Sequence, residues 1–415
     1  MPTVIRQRVR KLGLLASLYI SQLIPLAFLG QALPIYLRQQ GASLTEIGLL
    51  SLLSLPWALK FLWAPLIDRY GFTRFGHYRF WIICFQLTAA VGTVACAFVP
   101  AQGSVIPLLI GILLLFFVCA SQDVATDALE IGLLTPQERG FGNGVQTAGN
   151  YLGIVMGGGG LLLLLDRWGW QTTLLTMATV MGLALIPVLG HREKVLVQPV
   201  KLQRPKRSIR ASLKGYLRTF VQFCRRPGMA PWLLIVVSYL AGPYMVLAMF
   251  RPLLVDIGLS VAEIGLLLGV VGSTAGVFGA LVAGFFIAAL GRKRSLLVFG
   301  TLRVLVLIVY LLPALGITQL PLIYAMVIGL QFTSSMANTT LYTIMMDKSR
   351  AETAGTDYTL QNSVIALSGE GVTVTSGILG DAIGYVGVFA VAIAIALASL
   401  ALVARLFSNR EAFQP

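Results

Sequence analysis

Apolar stretches of about 20 residues follow one another along the whole chain, separated by short polar turns. As an α-helix, such a stretch crosses the hydrocarbon core of a bilayer, and lipid admits only helices and closed barrels as spanning structures. Taken in turn they give twelve spans, at 12–36, 46–65, 80–99, 105–131, 141–165, 171–189, 231–254, 262–290, 295–315, 319–346, 357–383 and 384–407. Residues 190–230 form the one long polar segment. Only 11% of the 415 residues are charged, against about 25% in soluble domains. The net charge of +15 sits between apolar spans, with no basic patch interleaved with aromatics, so no nucleic-acid partner is expected. Arg6, Arg8, Arg10 and Lys11 before the first span imitate a signal peptide. That span is long, lacks a clear cleavage site and precedes many others, so it is read as a retained helix.

Orientation follows from lysine and arginine. With the N-terminus inside, 26 of the 31 basic residues fall on the cytoplasmic side and three (Arg38, Arg167 and Arg251) outside; Lys60 and Arg303 lie within spans. Both termini and the 190–230 segment are therefore expected in the cytoplasm. The chain also repeats. Gly41-Ala-Ser-Leu-Thr-Glu46-Ile-Gly-Leu-Leu returns as Gly258-Leu-Ser-Val-Ala-Glu263-Ile-Gly-Leu-Leu. Gly140, Gln146, Asp166 and Gly169 return 215 residues later as Gly355, Gln361, Asp381 and Gly384. The expected fold is thus all-α and membrane-integral, with twelve transmembrane helices in two six-helix pseudo-repeats. The halves are 1–189 and 231–415, joined by the basic linker 190–230. This is a parallel-repeat transporter plan, with the substrate between the halves near mid-bilayer.

The second span turns at Pro65 into Asp68-Arg69-x-Gly71-x2-Arg74, echoed in the second half by Gly291-Arg292-Lys293-Arg294. This loop resembles the signature of the major facilitator superfamily. The second copy lacks the acid, having Ala288 there. Leu55-Pro-Trp-Ala-Leu-Lys60-Phe-Leu-Trp63-Ala-Pro65, Ala120-Ser-Gln122-Asp123-Val-Ala-Thr-Asp127-Ala-Leu and Glu138-Arg139-Gly140-x-Gly142-Asn143 resemble the muropeptide permease (AmpG-type) branch. That branch includes permeases for siderophores such as rhizobactin and pyochelin. The resemblance covers nearly the whole chain and implies a permease of the bacterial inner membrane that works by alternating access.

Gly157-Gly-Gly-Gly160 lies within an apolar span and is not followed by Lys-Ser/Thr, so it is no phosphate loop. Without a nucleotide site, transport would draw on an ion gradient or run downhill. Gly149, Gly153 and Gly157 share one helix face, and span 8 carries the matching small stripe Gly272, Gly276, Ala280 and Gly284. The resemblance implies that spans 5 and 8 meet.

Asp123, Asp127 and Glu130 lie on one face of span 4. An unpaired carboxylate at such depth costs roughly 2.5–3.5 kcal/mol, so a partner or a proton is expected. Lys60 is one partner for Asp123 or Asp127; Glu370, about 20 Å along span 11, is the other candidate to pair with Lys60, and is itself a candidate proton carrier. A permanent structural ion pair is the alternative to a charge-coupling role for Lys60, Asp123 and Asp127. Glu130, close to the water, reads as structural, and Arg303, about 12 Å into span 9, as an arginine reaching back to the interface. Asp68, with Arg69 and Arg74, is expected to hold a cytoplasmic gate, Asp68 against the start of span 11, where a helix N-terminus favours an anion.

By resemblance, spans 1, 4, 7 and 10 line the cavity. Their candidates are Gln22, Phe28 and Gln31, then Gln122 and Asp123, then Tyr239, Tyr244, Met245, Met249, Phe250 and Arg251, and finally Gln331, Phe332, Ser335 and Asn338. Aromatic, methionine and amide side chains suit a small, partly aromatic ligand. The expectation is proton-coupled import of a siderophore or ferric siderophore of the pyochelin type. A muropeptide permease is the alternative, ahead of a multidrug exporter or a membrane-embedded enzyme. His77 and His191 lie in basic loops, and Cys84, Cys96, Cys119 and Cys224 fit no metal or disulfide spacing, so no enzyme, metal or cofactor is expected.

Overall fold

The computed structural model describes residues 2–39, 49–71, 76–99, 106–193 and 220–407. Arg74, the first repeat copy at 41–48 and linker residues 194–219 lie outside the described residues.

Helix α1 (Pro2–Gln39) tolerates two prolines, Pro25 and Pro34, as membrane helices do when neighbouring groups satisfy the freed carbonyls. The second span is not one helix. A 3₁₀ stretch (Leu49–Ser54) runs into α2 (Leu55–Leu59), a 3₁₀ turn (Lys60–Leu62) and α3 (Ala64–Arg69). Pro56 and Pro65 each occupy the first turn of the helix they open, where a missing N–H is harmless. Then follow α4 (Tyr78–Ala97), α5 (Ile106–Leu133) and α6 (Arg139–Ile154), which passes through a π-turn (Val155–Gly160) into α7 (Leu161–Leu183) and α8 (Leu185–Gly190). After the linker come α9 (Met229–Asp256), α10 (Val261–Ile264), a π segment (Gly265–Gly272), α11 (Ser273–Leu290) and α12 (Arg292–Val309). The chain ends through α13 (Leu311–Ala314), α14 (Leu320–Lys348) and α15 (Ala354–Leu406).

Among the described residues, nine segments are long and apolar enough to cross a membrane. Two of them, Arg139–Gly190 and Ala351–Leu406, hold 52 and 56 residues, each enough for two crossings. Each is broken into two helices at a glycine with positive φ, Gly169 (φ 75°, ψ 179°) and Gly384 (φ 66°, ψ 179°), a conformation that an L side chain resists. These two glycines stand 215 residues apart, so the sequence repeat marks a repeated turn. With the broken second span, the crossings match the twelve read from the sequence.

The chain forms two compact units. The first holds residues 1–134, 148–196 and 353–359; the second holds 135–147, 197–352 and 360–415. In the first, Phe28, Leu29, Trp170, Leu174 and Met177 fill an apolar core, and Leu18, Ala64, Ile67 and Val124 a second cluster beside it. In the second, Val246, Phe250, Leu307, Tyr310, Val327 and Phe389 pack together. Large apolar side chains such as Val91, Leu163, Phe285 and Val374 stand exposed, as a lipid-facing surface requires.

The glycine stripe of span 5 packs differently from the sequence expectation. Gly149 and Gly153 lie against α1: a Cβ on Gly153 would fall 2.7 Å from the Ile20 carbonyl, and one on Gly149 3.2 Å from Tyr19 Cβ. The neighbours of span 8 are Gly140 and Gly144, earlier on the same helix, where a Cβ on Gly144 would come within 2.8 Å of the Ala280 carbonyl. Small residues let backbones approach closely along both stretches. The sequence shows the stripe but not which helix covers each turn of it.

Candidate functional site

Inside the first unit, four helical segments bring polar side chains into an apolar interior. Lys60 sits at the 3₁₀ turn that interrupts the second span, the kind of local break that often marks a hinge. Its ammonium pairs with Asp123 Oδ2, and Gln22 Nε2 donates to Asp123 Oδ1. The Lys60 and Asp123 side chains are only 3% and 11% exposed. The ammonium also lies 5.7 Å from the Trp57 ring centre, within cation–π range. Trp63 Nε1 donates to Ser121 Oγ at 2.9 Å and its ring packs on Phe117, which ties the broken span to α5. Of the three partners that the sequence left open for Lys60, Asp123, Asp127 and Glu370, the structure pairs it with Asp123, and Glu370 is exposed.

One turn further along α5 lie Asp127 and Glu130, both buried. The Tyr19 hydroxyl from α1 stands between them, 2.8 Å from Asp127 Oδ1 and 2.5 Å from Glu130 Oε2. Glu130 is fully buried rather than close to water. The sequence rule that failed here was depth along the span, since burial is set by what packs around a helix turn. Tyr19 carried no signal of its own; an aromatic in an apolar span reads as packing.

Asp68, on α3, lies outside the spans. Its Oδ1 accepts from the Gly355 N–H (3.1 Å) and the Tyr78 hydroxyl (2.9 Å), and its Oδ2 from the Thr356 N–H (2.7 Å) and hydroxyl (2.6 Å). Gly355 and Thr356 open α15, so the carboxylate caps a helix N-terminus. A Cβ on Gly355 would fall 2.7 Å from Asp68 Oδ1, so only glycine leaves room for this cap. Burial lifts the Asp68 carboxyl above the ordinary carboxylate range, against the four donors that pull it down. Asp68→Asn presents an amide NH2 to one pair of donors. Two hydrogen bonds to a charged acceptor are then lost, each worth about 1.5–3 kcal/mol. Hydrogen exchange at Gly355 and Thr356 is therefore expected to rise at least tenfold, about 1.4 kcal/mol; unchanged protection would show that the cap contributes nothing. Arg69 is exposed beside Tyr70.

The second unit has its own charged centre. Asp347, at the end of α14, accepts from Arg139 Nη1 (2.9 Å) on Oδ1 and from Arg292 Nε (2.7 Å) on Oδ2; Arg292 Nη2 also donates to the Pro136 carbonyl at 2.8 Å. The second-half loop, which lacks its own acid at Ala288, thus has Arg292 held by an acid 55 residues further on. Nothing in the spacing of the sequence pointed to Asp347. Arg303 is 1% exposed and does not reach back to the interface. Its guanidinium stacks 4.3 Å from the Tyr239 ring centre and Nη2 donates to the Tyr239 carbonyl at 2.6 Å. Its Nε and Nη1 find no protein acceptor among the described residues.

The remaining candidates divide by burial. Gln122 is buried beside Asp123. Phe28 packs on Trp170 with ring centres 6.1 Å apart, and Met245 and Phe250 belong to the apolar core of the second unit. Tyr239 is buried and spends its hydroxyl on the Leu296 carbonyl at 2.8 Å. Ser335 is buried, its hydroxyl on the Gly276 carbonyl at 2.6 Å. Tyr244, Met249, Gln331, Phe332 and Asn338 are half-buried, whereas Gln31 and Arg251 are exposed.

Residues 15–370 match the family model described as Major Facilitator Superfamily. The chain belongs to the major facilitator superfamily. Its fold agrees: the human organic anion transporter MFSD10 (TETRAN) superposes with a TM-score of 0.74 at 15% identity, over 96% of this chain and 99% of that one. The transporter FucP in its outward conformation gives 0.69 at 14% identity, over 97% and 99%. Among sequence relatives, the anhydromuropeptide permease of Escherichia coli (strain K12) is 29% identical over 284 residues, 68% of this chain but only 56% of that protein. The chain thus matches little more than half the length of that relative. Putative transporter AmpG 4 of Rickettsia conorii is 25% identical over 385 residues, 91% of this superfamily member and 92% of the relative. The protein is accordingly a multi-pass member of a transporter family, not of an enzyme family.

Proposed function

We propose that this transporter moves anhydromuropeptide-type solutes, an anhydro-disaccharide bearing a short peptide, across the bacterial inner membrane into the cytoplasm by proton-coupled alternating access, with both termini cytoplasmic. The observation that carries this reading is the likeness to the E. coli anhydromuropeptide permease, joined by the chain-long likeness to a Rickettsia AmpG-type protein. The main objection from sequence was a shortage of cationic groups for peptide carboxylates. Arg303 answers part of it, being buried in the second unit with no protein acceptor for Nε and Nη1 among the described residues. The siderophore reading rested on an aromatic and methionine lining, and it loses support because Phe28, Tyr239, Met245 and Phe250 are packed within the helices. The relatives described above carry AmpG and muropeptide names rather than siderophore names.

The test is uptake of radiolabelled anhydromuropeptide and of ferric siderophore into membrane vesicles containing the protein, with and without a proton gradient. Accumulation of the muropeptide that collapses with a protonophore is the expected result. Siderophore uptake without muropeptide uptake would overturn the substrate, and accumulation that survives the protonophore would overturn the coupling.

A further inference from the structure

An arginine keeps its charge when buried, so its place in an apolar interior calls for a compensating anion. Arg303, on α12, is 1% exposed. Among the described residues it forms no ion pair. In the second unit Asp347 is taken by Arg139 and Arg292, Asp256 accepts the Tyr385 hydroxyl at 2.5 Å and Glu263 accepts from Ser260. Glu352, Glu370 and Asp381 are exposed. One protein acceptor meets the guanidinium, the Tyr239 carbonyl, 2.6 Å from Nη2. Nε and Nη1 meet none among the described residues. Donors left open on a buried cation suit an oxyanion, which supplies both the charge and the acceptors. We propose that Arg303 is an anion-binding residue of the second unit, taking a carboxylate of the transported solute on the donors that the protein leaves open.

The guanidinium is held ready for such a ligand. Its centre lies 4.3 Å from the Tyr239 ring centre. That ring is fixed in turn, its hydroxyl donating to the Leu296 carbonyl at 2.8 Å. At Gly300, about one turn before Arg303, an added Cβ would fall 2.9 Å from the same hydroxyl, so glycine lets the ring lie against α12. An arginine already fixed by a ring and a carbonyl loses little freedom when an anion arrives, and such preorganisation favours binding. Tyr244, half-buried further along α9, lies within electrostatic reach of both Arg303 and the exposed Glu370. Polar groups thus lead from the buried cation towards an exposed face. A carboxylate makes a neutral pair with one guanidinium, the combination an apolar interior tolerates best. A lipid phosphate is disfavoured by place. Arg303 is buried about 12 Å into span 9, away from the interface where headgroups sit.

That the carboxylate belongs to a transported peptide rests on the function proposed above; that Arg303 takes a carboxylate does not. The probes are radiolabelled N-acetyl-dialanine and its C-terminal amide, a carboxylate and its neutral counterpart. Equilibrium dialysis against the purified full-length protein in detergent reads their binding. The wild type is expected to prefer the carboxylate by roughly tenfold or more. Arg303→Met should bring both probes to the same affinity. Arg303→Lys keeps the charge but not the planar donors, and should keep only part of the preference. Arg294→Gln, exposed near the start of α12, should leave it intact. Thermal unfolding separates binding from folding. Without a probe, Arg303→Met should unfold no earlier than the wild type, because it removes a buried charge that lacks a counter-ion. If Arg303→Met fails to fold, Arg303→Lys decides, and an unchanged preference there overturns the proposal. Equal affinity of the wild type for both probes, a preference that survives in a folded Arg303→Met, or displacement of the peptide by phosphatidylglycerol would each overturn it too. Failed muropeptide uptake with the carboxylate preference intact would overturn the substrate and not the site; intact uptake with no preference would do the reverse.

Discussion

Lys60→Met is expected to destabilise the transporter by about 3–5 kcal/mol, the usual cost of removing one partner from a buried ion pair. The reason is local. Lys60 and Asp123 are both buried, and the ammonium is the cation that neutralises Asp123. Taking it away leaves a carboxylate in an apolar interior with the Gln22 amide as donor to its other oxygen. Asp123→Asn in the same chain removes the stranded charge, so the double variant Lys60→Met/Asp123→Asn is expected to recover most of the loss. Unfolding in detergent, followed by tryptophan fluorescence, gives the comparison. Trp57 and Trp63 adjoin the site and report on it. A single variant that unfolds with the wild type, or a double variant no better than the single, would show that the pair is not coupled as drawn. Transport by the double variant separates the two roles still open for this pair: retained coupled uptake makes it structural, and lost coupling makes it functional.

Asp347→Asn is expected to cost a similar amount, again about 3–5 kcal/mol, because it strands two guanidiniums rather than one. Asp347 is 1% exposed at its side chain, and Arg139 and Arg292 are 15% and 6% exposed. The single-arginine variants should do less harm. In Arg139→Gln the acid keeps Arg292, and Arg292 keeps the Pro136 carbonyl. The expected order of loss is therefore Asp347→Asn first, then Arg292→Gln, then Arg139→Gln. Thermal unfolding gives the order, and hydrogen exchange across 135–140 localises it, since Arg292 Nη2 and Arg139 anchor that turn. An Asp347→Asn variant as stable as Arg139→Gln would mean that the two arginines do not share the acid.

Both experiments probe a device that linear sequence hides. Lys60 and Asp123 are 63 residues apart, and Asp347 is 208 from Arg139. The sequence raised the right question about Lys60, since a lysine inside an apolar span needs a partner. It offered Asp123, Asp127 and Glu370 with nothing to choose between them, because helix periodicity fixes the face a residue lies on but not which helix meets that face. Glu130 shows the same limit from the other side. Its depth along α5 suggested water, yet α1 covers that turn and puts Tyr19 on it.

What the sequence determined by itself was everything that depends on the solvent. Apolar length specified spanning helices, and the 215-residue repeat marked turns that Gly169 and Gly384 make with the same backbone geometry. These follow from the bilayer acting on each segment separately. What only the tertiary structure decided was which polar groups meet inside: Lys60 with Asp123, Tyr19 between Asp127 and Glu130, and Asp347 between two arginines. Those pairings depend on helix rotation and on breaks such as the 3₁₀ turn at Lys60. They are set by packing over the whole unit, where a rotation of one turn exchanges one partner for another.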